Sequence, residues 1–125
     1  MLFALDTSHR GEGDDGWTVV AVTGELELAT APRLRQEVVG LVGEGHVQIV
    51  LDLSGVDFVD SVGLGVIVSV LKRVRGRGGE LVVAGPVPRV RRLFELTRLD
   101  EIIPLHDRVE DAVGASAGRF GGADG

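Results

Sequence analysis

The chain has 125 residues, 44% of them apolar and 26% charged. That composition describes one globular domain with a single hydrophobic core and excludes a disordered chain. The absence of cysteine removes disulfides, thiolate metal sites and thiol nucleophiles, and a net charge of -6 argues against broad binding to nucleic acid or anionic lipid. No apolar run approaches the roughly 18 residues of a spanning helix, and no basic segment, apolar stretch and cleavage site open the chain, so a cytoplasmic protein off the membrane is expected.

Aromatic residues are only 4% of the chain, so the core must be built from Val, Leu, Ile and Ala. Leu2 to Asp6 predicts a first strand, and His9 to Gly16, polar and glycine-containing, a turn or loop. Trp17 to Thr23, rich in β-branched residues and closed by Gly24, predicts a second strand that can pair with the first as an antiparallel hairpin. Gly24 to Pro32 then leads to a helix, with Thr30 as N-cap and Pro32 in the first turn, where a missing N–H costs nothing. Leu34, Val38, Leu41 and Val42 recur at helical spacing, and Gly43 to Gly45 end the run.

Val47 to Leu53 is nearly continuous apolar sequence, as in a strand central in a sheet or covered on both faces. An acidic loop follows, and then a helix from about Ser61 to Arg75. Leu64, Ile67, Val68, Leu71 and Val74 can form one face of it; Val62, Val66 and Val70 add a second apolar row, more than one buried stripe requires. Gly63 and Gly65 each cost up to about 1 kcal/mol inside a helix. They imply close backbone approach, by the sheet or by a partner. Leu81 to Ala84 predicts a strand, the segment from Val87 a helix, Ile102 and Ile103 a minimal strand, and Asp107 with Glu110 the capping box of a last helix. The order β-β-α-β-α-β-α-β-α implies an α/β fold: a mixed sheet with a leading β-hairpin and alternating βα units, about five strands and four helices, in a single domain over 1–113. A flexible Gly-rich tail is expected over 114–125.

No residue pattern supplies an enzyme. His9, His46 and His106 lie far apart in loop-like segments without metal-ligand spacing, so no metal site is expected. Gly76 to Gly79 lacks the lysine of a phosphate-cradling loop, and Lys72 sits among other cations in mid-helix. Asp52, Asp57 and Asp60 resemble a magnesium cluster of a receiver domain, but the further acids and the lysine such a domain needs are missing. The arginines of the second half are a solvated face, or a rim for an acidic partner or a nucleotide phosphate. What remains is Ser61 at a helix mouth. Orphan N–H groups and the helix dipole make that position suited to a cap, or to a hydroxyl offered for modification.

The segment Asp52 to Gly65, DLSGVDFVDSVGLG, resembles the signature of the STAS domains of bacterial anti-sigma factor antagonists. The segment Gly24 to Pro32, GELELATAP, resembles their second motif, and the element order agrees from Leu2 to about Val113. The resemblance implies a STAS-type sheet without cofactor. It places Ser61 on the serine that such proteins have phosphorylated by an anti-sigma factor serine kinase, which binds the ATP, and dephosphorylated by a serine phosphatase. The surface for that partner is expected to comprise Glu27, Thr30, Asp57, Asp60, Ser61, Val62, Gly63, Val66 and Val70. Glu27 departs from the aspartate common in the family, by one methylene. The other function such a module implies is an adaptor, or a small-ligand or lipid-transport accessory, without phosphorylation.

Overall fold

In the computed structural model, which describes residues 2–11 and 16–114, the strand with the longest apolar run is the centre of the molecule. Five strands form one sheet in the order β1 (Ala4–Arg10), β2 (Trp17–Leu26), β3 (Gln48–Val59), β4 (Glu80–Ala84) and β5 (Leu105–His106). The hairpin of β1 and β2 is antiparallel, and every later pairing is parallel. Both faces are covered, which is why the first half of β3 has almost no polar alternation. Ile49, Leu51 and Leu53 point into the larger core with Leu34 and Val38 of α1 (Ala31–Gly43), Ile67 and Val74 of α2 (Ser61–Gly76), and Phe94 of α3 (Pro88–Leu96). Val50 points the other way, into a smaller core with Trp17, Val19 and Val82. Val109 and Ala112 of a fourth helix, α4 (109–114), cover that face.

Several boundaries differ from the sequence reading, each for a local reason. β1 starts later and runs to Arg10, so His9 and Arg10 belong to the strand: they pair with Thr18 and Trp17 across the hairpin. The acidic segment is no loop. β3 continues through it to Val59, pairing with the end of β2 by way of register shifts between Ala21 and Thr23 and between Gly24 and Glu25. Gly55 permits this, since a Cβ there would meet the Val22 carbonyl oxygen at 2.9 Å.

The last strand falls after Pro104 instead of before it. Ile103 is buried in the core and its N–H is turned back to the Leu99 carbonyl, whereas the Pro104 and His106 carbonyls accept from Val83 and Gly85. Among the described residues the Asp107 carboxylate makes no cap bond to α4 and instead accepts from Arg91 Nη2 at 3.0 Å. Thr30 occupies the N-cap position of α1 without a side-chain cap bond. The tail expected from 114 onward lies, beyond Gly114, outside the described residues.

Candidate functional site

Ser61 is the first residue of α2 and is exposed, but it is not the cap. Asp60 is. Its extended backbone (φ -96°, ψ -176°) lets Oδ1 accept from the Gly63 N–H at 2.8 Å. The other oxygen, Oδ2, accepts from the Leu28 N–H at 3.1 Å, tying the helix mouth to the loop between β2 and α1. Because a neighbour already fills the capping role, the Ser61 hydroxyl has no hydrogen-bond partner among the described residues.

Gly63 fixes the same junction sterically. A Cβ on it would collide with the Leu26 carbonyl oxygen and lie 3.0 Å from Val59 Cγ1. Close approach at Gly63 is therefore packing on the strand ends. Gly65 is different: it is exposed, and a Cβ there would meet nothing within 4 Å. One glycine is required by the sheet, and the other is not.

The facing loop is rigidly tied. Thr30 Oγ1 accepts from the Glu27 N–H at 3.0 Å and donates to the Glu25 carbonyl at 2.6 Å. The Glu27 carboxylate accepts from the Ala29 N–H at 3.0 Å, so Thr30 and Glu27 shape the loop. Asp57 is exposed near the end of β3.

The second valine row divides. Val62 is 38% exposed, Val66 is half-buried, and Val70, at 1%, belongs to the core and cannot meet a partner directly. Helical geometry puts Val70 and Val74 on the stripe of Ile67 and Leu71, all four buried. Val68, expected on that stripe, is half-buried and lines a shallow outer groove with Gly65, Lys72, Arg73 and Arg77.

The structure also brings to this end two side chains absent from the expected set. Leu28 is 67% exposed and Phe58 42% exposed. Their signal in the sequence is an apolar side chain directly after an acid: Leu28 follows Glu27, and Phe58 follows Asp57. With Val62 they give this end apolar contact area among the carboxylates of Asp57 and Asp60.

Residues 10–112 match the STAS domain family. Among similar proteins, an anti-sigma-B factor antagonist of Listeria monocytogenes is 41% identical over 95 residues, 75% of this chain and 82% of that protein. An anti-sigma-B factor antagonist of Staphylococcus aureus is 33% identical over 96 residues, 77% of this chain and 89% of that protein. The crystal structure of an anti-sigma factor antagonist from Mycobacterium paratuberculosis superposes with a TM-score of 0.76 at 32% identity, covering 91% of this chain and 95% of that one. With the five-stranded mixed sheet and four helices described above, these likenesses establish the identity: the chain belongs to the STAS domain family.

Proposed function

We propose that this chain is an anti-sigma factor antagonist whose unmodified form binds an anti-sigma factor serine kinase through the Ser61 end of the sheet, releasing the sigma factor, and that phosphorylation of Ser61 switches that binding off. The observation that carries the reading is the unpartnered, exposed hydroxyl of Ser61 beside a carboxylate that already caps the helix. A capping serine is held by the backbone; this one is not.

In the modification, Ser61 Oγ forms an O–P bond to the γ-phosphorus of ATP as the bond to the β–γ bridging oxygen breaks. ADP leaves, and the hydroxyl proton passes to a base on the kinase. ATP and its metal belong to the kinase; this chain is substrate and ligand. A serine phosphatase reverses the change by hydrolysis.

The phosphate brings about -1.5 to -2 charges at neutral pH. The positive end of α2 tolerates that charge locally, so the fold is retained. A docked protein does not tolerate it. The dianion stands among Asp57 and Asp60, beside the apolar surface of Leu28, Phe58 and Val62. Removing it from water without a matching cation costs several kcal/mol, by the general penalty of roughly 2–7 kcal/mol for polar groups and more for charges. The cytoplasm, where sigma factors act, is the setting this function requires.

Incubation of the chain with its kinase and ATP is expected to add one phosphate, read by intact-protein mass spectrometry, and Ser61→Ala is expected to abolish it. Phosphate on another residue, or undiminished incorporation in the alanine variant, overturns the assignment.

A further inference from the structure

The two edges of the sheet differ. β5, at one edge, is two residues long and offers little to a further strand. β1, at the other, is seven residues long, contains no proline, and pairs with β2 from Ala4 to Arg10 without a register shift. Among the described residues no strand lies on its outer side, so alternate residues turn their N–H and C=O groups outward. Edge strands are ordinarily blunted by proline, by a bulge or by brevity, and β1 has none of these.

β1 does carry charge, and a charged edge usually deters a second strand. Here the two charges, Asp6 and Arg10, are opposite in sign and four residues apart, which puts both on one face of the strand. Both are exposed, as is Ser8 midway between them. That spacing makes the strand complementary to itself. In an antiparallel copy related by a two-fold axis at Ser8, each Asp6 stands directly opposite the Arg10 of the other copy. A two-fold at Asp6 would set two carboxylates against each other, and one at Thr7 would leave Arg10 facing Ala4.

We propose that β1 pairs antiparallel with β1 of a second copy of this chain, centred on Ser8, joining two five-stranded sheets into one. The same register sets Thr7 opposite His9 on the α1 face, beside the Glu37 carboxylate to which Thr7 Oγ1 donates at 2.7 Å. The two-fold keeps both α1 helices on that face, where Leu5, Arg33, Gln36 and Glu37 line a groove of about 370 Å³ that the second copy closes. The contact is remote from the proposed docking end: Ser8 lies across from Val19, early in β2, whereas Ser61 follows the far end of β3. Antiparallel union points the two Ser61 ends in opposite directions and leaves each free. The net charge of -6 on each copy opposes association, so the dimer is a weak one that grows with concentration.

Sedimentation velocity of the full chain at physiological salt, from micromolar to submillimolar concentration, is expected to show a monomer–dimer equilibrium. Asp6→Arg and Arg10→Asp each turn two attractive cross-strand pairs into two repulsive ones and should weaken dimerisation at least about tenfold. The double variant, Asp6→Arg with Arg10→Asp, restores opposite signs and should return dimerisation to near the parent level. Thermal melts verify that each variant is folded, as expected for exposed positions. A parent chain that stays monomeric throughout, single reversals that dimerise as well as the parent, or a double variant that dimerises no better than the singles overturns the proposal. Either of the last two results would place the contact on another surface.

Discussion

The two ends of the central strands are built on different logic. At the C-terminal end of β2 and β3, one short run of sequence places the strand end, the capping Asp60, the exposed Ser61 and the close-packed Gly63 in succession. At the N-terminal end, His9, Thr18, His46 and Gln48 come from separate segments and meet only because β1 folds back antiparallel beside β2. Contiguity makes the first end readable residue by residue. The second is a product of pairing, and its two histidines look unrelated until the hairpin closes.

The contrast is sharpest in how each end should respond to charge. Ser61→Asp puts a fixed negative charge at the proposed docking end without adding bulk to the core. We expect the partner to bind at least about 100-fold more weakly, near 3 kcal/mol on the scale where tenfold is about 1.4 kcal/mol. The melting temperature should be unchanged. Calorimetry that finds equal affinity removes the electrostatic switch.

A smaller effect separates the two glycines of α2. Gly63→Ala forces a methyl against the Leu26 carbonyl and should cost about 1–3 kcal/mol in denaturant unfolding, the usual penalty of overpacking. Gly65→Ala enters open space and should stabilise the helix, by up to about 1 kcal/mol. If both variants are destabilised alike, the distinction between a packing glycine and a surface glycine is wrong.

Much of the fold is legible in the chain alone. The apolar run of β3 announces a strand covered on both faces, and Leu34, Val38, Leu41 and Val42 mark the buried stripe of α1. The minimal strand misleads because Ile102 and Ile103 have the composition of a strand, yet Ile103 is a core anchor just past a 3-10 turn (Leu99–Glu101). The acidic segment reads as a loop because glycine and aspartate are poor strand formers. Its strand character comes from pairing with β2, which local propensity does not contain.

Local chemistry along the chain thus determined the elements and the position of Ser61, since a helix start, a strand end and an acidic run are properties of neighbouring residues. Only the tertiary structure decided what those residues do: Asp60 takes the cap and leaves Ser61 without one, Val70 goes to the core, and Leu28 and Phe58 reach the surface. It alone brought His9 to His46. The physical reason is that hydrogen bonding and burial are allotted among residues distant in the chain, and that allotment exists only once the sheet has closed.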